Sequence, residues 1–329
     1  MAKVGDHVLG VKAESYYGAA VTPDQRFEVV SEKLSLRQDY IESKSLKAGQ
    51  RYLSTQNHVV GKKHVEGDIE MEIPSAGAGF WFKQLMGTVD TTTPAGATTR
   101  RLHTFVAAPE LDNLSFTAQV QRTDVAGTAH KFIYAGCGVT DLEIACKAGE
   151  LATMKASIFG KSESVTADTA SSATYASSTP LVFAGAVVQV GDTVATRATV
   201  ANVSEFSVKI DNGRKTDRYF LGDASPAKPI EADLRSCEGK ITVDWEGLTQ
   251  YNRFVNHSSV AIVAKFETQA VIEGSVKGYV QVTIPAAVFT GETPTGGGDI
   301  IDQSIDFKAL YDGTNEPVKI EYLSLDTVV

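Results

Sequence analysis

The sequence predicts a mainly β protein built from short antiparallel strands that fold into sandwiches or barrels. Apolar and polar residues alternate in many short segments, as in Phe206-Ser207-Val208-Lys209-Ile210, which is the period of a half-buried strand. Turn residues, among them 28 glycines, separate these segments. Hydrophobic residues make up 43% of the chain and charged residues 22%, a composition that favours a folded protein over a disordered one.

Strands are predicted on both sides of a stretch rich in Ser, Thr and Ala at 162–180. They include 26–29, 115–120 and 141–144 in the first half, and 206–210 and 240–245 in the second. The stretch 162–180 has no apolar periodicity, which is typical of a solvated linker. A length of 329 residues favours about two domains. We therefore expect a first domain at 1–161 and a second at 181–329.

One short helix is predicted in each half. In the first, Ala78, Trp81 and Leu85 share a face and Gly87 is placed to end the helix. The second has an apolar stripe at helical spacing, formed by Leu248, Tyr251 and Val255.

The two helices belong to a repeat. Val30-Ser31-Glu32 and Glu66-Gly67 recur as Val203-Ser204-Glu205 and Glu238-Gly239, at an offset of 172 or 173 residues. Each Glu-Gly pair starts an alternating strand that leads into the helix, and a later strand follows Gly149-Glu150 in one half and Gly298-Asp299 in the other. This order predicts a diverged tandem duplication.

Net charge, cysteine spacing and the length of apolar segments limit the binding partners and the location of the protein. The chain has 31 basic and 40 acidic side chains, a net charge of -9, which disfavours a general nucleic-acid-binding surface. None of the three cysteines falls in a metal-binding pair, and Cys137 and Cys146 are expected in the core. The first residues lack the apolar stretch of a signal peptide, and the longest apolar segment is too short for a membrane helix. We expect a soluble, non-secreted protein that needs no metal or other cofactor.

Four acidic residues are placed on one face of a predicted strand, because alternate side chains of a strand point to the same side. We call them the acidic row: Glu66, Asp68, Glu70 and Glu72. The matching strand of the second half presents a more mixed set on the corresponding face: Glu238, Lys240, Thr242 and Asp244. Four interpretations are open: a solvated edge strand, a metal site completed by another strand, paired carboxylates for glycoside hydrolysis, or a negative wall that repels a polyanion.

The segment 42–64 is basic, with one acid, Glu42, against five basic residues: Lys44, Lys47, Arg51, Lys62 and Lys63. It is longer than a hairpin loop requires. It is either an exposed flexible loop or an arm that docks onto an acidic neighbour. Nucleic-acid binding is disfavoured because Tyr52 is its one aromatic residue flanked by basic positions.

Nothing in the sequence indicates catalysis. The six histidines are scattered, without the His-Glu-x-x-His spacing of a zinc site, and no Gly-x-Ser-x-Gly nucleophile motif occurs. We expect a protein that is not an enzyme.

The order of motifs resembles the tail tube (major tail) proteins of long-tailed bacteriophages. The resemblance covers about 14–160, and the second half shares it through the repeat. It is carried by six short motifs: Glu14-Ser15-Tyr16-Tyr17-Gly18, Ile41-Glu42-Ser43, Val65-Glu66-Gly67-Asp68-Ile69, Leu85-Met86-Gly87, Ser115-Phe116-Thr117 and Tyr134-Ala135-Gly136-Cys137-Gly138-Val139.

The resemblance implies two tandem tail-tube-type β-sandwich/barrel domains, each flanked by a short helix. It implies rings that stack into a tube, with inner sheets closed around an acidic channel for the genome. A duplicated chain then forms homotrimeric, pseudo-hexameric rings. Expected partners are the chain itself, the tape-measure protein and tail-end proteins, with DNA passing through without specific binding and no membrane contact. The location is the virion tail, after assembly in the host cytoplasm.

The resemblance also implies roles for the two charged groups. The acidic row, with Glu238 and Asp244, then faces the lumen, and the segment 42–64 reaches the adjacent ring. The alternatives are a tandem β-sandwich adhesin or binding module without catalytic activity and, less favoured, an enzyme with a carboxylate site.

Overall fold

A computed structural model describes residues 7–45, 48–49, 51–111, 114–166, 170–291, 293–294 and 301–329. Strands make up 55% of the chain and helices 6%, which confirms the mainly β prediction. The sequence did not distinguish a β-sandwich from a β-barrel. The strands in the described ranges form no closed barrel, and the architecture is of the β-sandwich class.

The strands are numbered in chain order. Those before residue 180 are β1 Val8–Ala13, β2 Gln25–Phe27, β3 Ser31–Glu32, β4 Ser35–Glu42, β5 His58–Glu72, β6 Gly87–Thr92, β7 Arg101–Ala107, β8 Phe116–Thr123, β9 Ala129–Lys147, β10 Thr153–Gly160, β11 Ser162–Thr166 and β12 Thr174–Tyr175. Those after it are β13 Leu181–Gly191, β14 Ala198–Thr199, β15 Val203–Asp211, β16 Arg214–Lys215, β17 Ile230–Glu231, β18 Ser236–Asp244, β19 Val260–Glu273, β20 Val276–Phe289, β21 Asp302–Ala309 and β22 Lys319–Ser324. The helices are α1 Gly79–Met86 and α2 Leu248–Val255, and Thr55–Asn57 form a 3₁₀ turn.

One continuous sheet, which we call the long sheet, runs through both halves of the chain. Its order is β4, β5, β10, β9, β15, β18 and β21, with every neighbouring pair antiparallel. The short strand β3 pairs with β5 beside β4. The halves meet where β9 pairs with β15, so the backbone hydrogen bonds cross the middle of the chain without a break.

Two further sheets supply the other layer of the sandwich. The first contains β12, β2, β1, β8, the beginning of β9 and β11. The second contains β14, β13, β19, β20, β22, β7 and β6. It is joined to the long sheet, because the end of β20 pairs with β21. The apolar sides of all three sheets contribute to one core cluster, which includes Leu9, Ile69, Val208 and Val282.

The stretch 162–180 contains regular structure. Strand β11 pairs with β9, and β12 pairs in parallel with β2. Two strand pairs join the segments before and after this stretch. Strand β9 pairs with β15, and β7 pairs with β22 at the end of the chain. The division at 162–180 into two domains stays a prediction.

Equivalent elements of the two halves pair in the same way. Strand β5 pairs with β3 and β10, and β18 pairs with β15 and β21. The predicted strands after Gly149 and Gly298 are β10 and β21, although Gly298 and Asp299 lie outside the described residues. These matched pairings are consistent with the predicted duplication.

Both predicted helices are present, but their environments differ. Helix α1 ends at Gly87, which has φ 85° as helix-terminating glycines commonly do. Seven of its eight residues are buried, including Trp81, which packs against Phe27, Phe80 and Phe116. Helix α2 has no buried residue. The repeat therefore conserves the position of the helix but not its packing.

Candidate functional site

The acidic row lies on strand β5, and its side chains alternate with core residues as the period of two predicts. Glu66 and Glu72 are exposed, and Asp68 and Glu70 are half-buried. The intervening Ile69, Met71 and Ile73 are buried. The four carboxylates therefore share the side of the long sheet that faces away from the core.

A glycine in each half brings the neighbouring backbone close to this strand. A Cβ at Gly67 would lie 2.3 Å from the carbonyl oxygen of Lys33, and one at Gly239 would lie 2.3 Å from that of Ser207. Such a separation is too short for non-bonded atoms, so both positions require glycine. This contact explains why glycine recurs at the second position of the Glu-Gly pair.

The structure places Glu238 and Asp244 on the same polar face as the acidic row. Strand β18 follows β10, β9 and β15 across the sheet, and paired residues of antiparallel strands point to the same side. One row of paired residues crosses six strands, and its charge alternates at every step: Glu70, Lys155, Glu143, Lys209, Glu238 and Lys308.

The lysines of this row were not found from the sequence. Lys155, Lys209 and Lys308 are remote from Glu70 along the chain, and the register of five strand pairs brings them into line with it. The acidic row is thus one edge of a mixed-charge face. The signal available in the sequence was the alternation within β10, β15 and β21, but alternation does not reveal which strands are neighbours.

Several carboxylates on this face form ion pairs. Lys155 Nζ lies 3.1 Å from Asp68 Oδ2, Lys209 Nζ lies 3.1 Å from Asp141 Oδ1, and Lys308 Nζ lies 2.8 Å from Glu238 Oε1. Partial burial opposes ionisation of Asp68, but hydrogen bonds from Lys155 and Ser157 outweigh it and hold the pKa of Asp68 below its usual range. The hydrogen bond with Asp141 raises the pKa of Lys209. Both shifts favour the charged forms of Asp68 and Lys209 at neutral pH.

The face remains negative after this pairing. On β5 from Glu66 onward and on the next five strands it carries twelve carboxylates and five lysines. The carboxylates are Glu66, Asp68, Glu70, Glu72, Asp141, Glu143, Glu205, Asp211, Glu238, Asp244, Asp302 and Asp306, and the lysines are Lys147, Lys155, Lys209, Lys240 and Lys308. Both halves contribute, so the negative surface extends from β5 to β21, while Arg37 of β4 lies beside its edge, 2.7 Å from Glu66.

The basic segment is largely a β-hairpin. Strands β4 and β5 pair as far as Glu42 and His58, so the connecting loop is shorter than the predicted 42–64. Lys44 and Arg51 are exposed in the loop, Lys62 and Lys63 lie within β5, and Lys47 lies outside the described residues. We call the described residues from Tyr40 to Val60 the arm.

The arm also presents apolar side chains, which charge counting did not reveal. Tyr40, Ile41, Val59 and Val60 are each at least 50% exposed, and Tyr52 is 89% exposed. The ring of Tyr40 stacks on His58 with centroids 4.7 Å apart. Exposed apolar residues grouped on one projecting element are typical of an interaction surface.

Lys62 and Lys63 lie at the base of the arm, beside a segment of the second half. Lys62 Nζ is 4.6 Å from the ring centroid of Tyr219, and the backbone N–H of Lys63 donates to the carbonyl of Ala224 at 2.9 Å. These contacts fix the base of the arm to the rest of the molecule.

The described part of the chain contains no group of three or more His, Cys, Asp or Glu residues placed to hold a metal ion. The three cysteines are buried, as predicted for Cys137 and Cys146. Burial raises the pKa of Cys146 to about 11 and that of Cys237 to about 12. Within the same residues, neither helix has the length and apolarity needed to cross a membrane.

Comparison with known proteins identifies the family. A comparison with curated proteins finds no significant match. A family model described as phage tail tube protein matches residues 6–309, which is nearly the whole chain. The match includes the acidic row, the arm and both helices. The chain therefore belongs to the phage tail tube protein family and is a structural protein of a phage tail.

Proposed function

We propose that the chain polymerises as stacked rings into the tail tube, and that the polar face of the long sheet lines the channel for genome ejection. The observation that supports this most directly is the excess of twelve carboxylates over five lysines on one uninterrupted face. DNA carries a dense row of phosphates, so a net negative wall keeps it from adhering.

The ion pairs refine this proposal. A free lysine in the channel would bind a phosphate and slow the DNA. Lys155, Lys209 and Lys308 each have a carboxylate within 3.1 Å. The charge of these three lysines is satisfied locally, and the two other lysines of the face, Lys147 and Lys240, are outnumbered by its twelve carboxylates.

The ring is proposed to be a homotrimer with pseudo-sixfold symmetry, because each chain contributes two sets of equivalent strands to the long sheet. Strand β4 is an edge strand of the long sheet, because among the described residues it pairs with β5 alone. Its other edge is open to a strand of the next copy, and closing the ring would remove that exposed edge. The tape-measure protein and tail-end proteins are the remaining proposed partners.

Electron microscopy of the purified protein tests the assembly. Rings or hollow tubes are expected. Protein that stays monomeric at high concentration would favour the alternative, a monomeric β-sandwich binding module.

The channel assignment is tested by neutralising the acidic row in the phage with E66Q, D68N, E70Q and E72Q. Tubes should still form, because these side chains lie outside the core, and infectivity should fall. A control neutralises four exposed acids outside the strands that form this face: D90N, E110Q, D217N and E316Q. Normal infectivity from well-formed tubes of the first variant would refute the assignment.

A further inference from the structure

Helix α2 presents an apolar surface that none of the residues described by the structure covers. Leu248 is 57% exposed and Val255 is 54% exposed. They lie seven residues apart and so share one side of the helix. The adjacent Trp245 is also 39% exposed, while Phe254, on another side, packs against the core. The equivalent helix α1 is almost fully buried. The exposed side of α2 is therefore available to another molecule.

The topology places α2 and the arm at opposite ends of the strands of the long sheet. Four antiparallel steps separate β5 from β18, so the two strands run in the same direction. Strand β5 starts at the arm, whereas α2 follows the far end of β18. The 15 residues of β5 span about 50 Å at the usual rise per residue. The arm therefore cannot reach α2 of its own chain.

The charges at the two ends are opposite. The arm carries Lys44 and Arg51 in its loop, against one acid, Glu42. Around α2, Glu246 is exposed, and Asp244 and Asp302 face each other directly across β18 and β21. Like charges in this arrangement repel, and a cation from another molecule would relieve the repulsion. Arg253, the basic residue of α2, is already paired with Asp192 at 3.1 Å.

We propose that the arm of one copy docks on the exposed side of α2 of a second copy in the next ring. This inference rests on the proposed tube assembly and names the surface that receives the arm. The apolar side chains of the arm cover Leu248 and Val255, and its basic residues approach the carboxylates beside α2. Because donor and receptor lie at opposite ends, the contact is head-to-tail and repeats without closing, as a tube requires.

Cross-linking tests the contact directly. Two single-cysteine variants, Tyr52→Cys in the arm and Leu248→Cys on α2, are mixed, assembled and treated with a short bismaleimide. The natural cysteines are buried, so the introduced thiols are the ones expected to react. The control partner is Leu234→Cys, which is 96% exposed but lies in the connection between β15 and β18, at the arm end of the sheet.

A covalent dimer from the Tyr52→Cys and Leu248→Cys mixture, absent with Leu234→Cys and with either variant alone, is the expected result. Tubes that form but give no such dimer, or that cross-link through Leu234→Cys instead, would overturn the α2 assignment and leave the tube assembly standing. Protein that forms no assemblies would contradict the assembly and the α2 contact together.

Discussion

The pair of Glu32 and Arg122 shows how a charged side chain is accommodated in the first half. The Glu32 side chain is 1% exposed, and both of its carboxylate oxygens accept from Arg122 Nη2, at 2.9 and 3.0 Å. Burial opposes ionisation, but the hydrogen bond with His7 and the charge of Arg122 outweigh it and lower the pKa of Glu32. Arg122 also donates to Tyr134 Oη at 2.9 Å. The pair thus ties β3 to β8 and β9.

Replacing Arg122 by alanine should destabilise the protein by about 3 kcal/mol, because it removes the guanidinium from the buried Glu32 carboxylate and leaves it only the more distant His7, at 3.3 Å, as an ionisable partner among the described residues. The free energy of unfolding in urea measures this effect. Arg37→Ala is the matched control, since the Arg37–Glu66 pair at 2.7 Å is exposed and should contribute about 1 kcal/mol or less. Equal losses from the two variants would contradict this account.

The hydrogen bonds of Glu273 should make the stability of the protein depend on pH. Hydrogen bonds from the side chain and backbone of Thr98, and from the backbone of Thr99 and Arg100, lower the pKa of Glu273 to about 2. A carboxylate with a lowered pKa stabilises the folded state above its unfolded pKa, and this contribution is lost as the pH falls through the folded pKa. Glu273→Gln should therefore lower the melting temperature at pH 7, and its difference from the wild type should vanish between about pH 4.5 and 2.

The control for this experiment is Glu110→Gln, at an exposed glutamate. It should leave the melting temperature close to that of the wild type across the same pH range. A Glu273→Gln effect that persists unchanged at pH 2 would show that the carboxylate charge is not its cause.

At the scale of the element, the glycine in β18 sets how closely β15 approaches it. An alanine Cβ at position 239 would meet the Ser207 carbonyl oxygen at 2.3 Å and the ring of Phe307 at 2.4 Å. Gly239→Ala should therefore destabilise the protein by about 1–3 kcal/mol through overpacking. Urea unfolding is the measurement.

Gly96→Ala is the comparison for this variant. Its Cβ would meet nothing within 4 Å, although φ of 74° disfavours alanine there. It should cost about 1–2 kcal/mol from backbone conformation alone. If Gly239→Ala had the unfolding free energy of the wild type, β15 and β18 could move apart around the added Cβ without destabilising the fold. That result would contradict the requirement for glycine at this position.

At the scale of the whole molecule, the two halves are joined by more than the connection at 162–180. Strand β9 pairs with β15, β7 pairs with β22, and Glu273 of the second half holds residues 98–100 of the first. A chain with this many cross-connections should unfold as one cooperative unit. Calorimetry of unassembled protein should show a single transition, and two separate transitions would support independent domains.

Local features of the fold were predictable from the sequence because they depend on neighbours in the chain. Gly87 ends α1, Gly67 and Gly239 mark equivalent strands, and alternation places Glu66 and Ile69 on opposite faces. The polar face as a whole was not predictable. Lys155 and Lys209 reach it through strand pairings between distant segments, and period-two alternation does not encode those pairings.

The mainly β class, the two helices and the acidic row follow from the sequence alone, because strand and helix periods and terminating glycines act over a few residues. Three properties emerge only in the folded chain: both halves share one long sheet, paired lysines lie among the carboxylates, and α1 is buried while α2 is exposed. These properties depend on which distant segments meet, and the packing free energy of the whole chain selects those contacts.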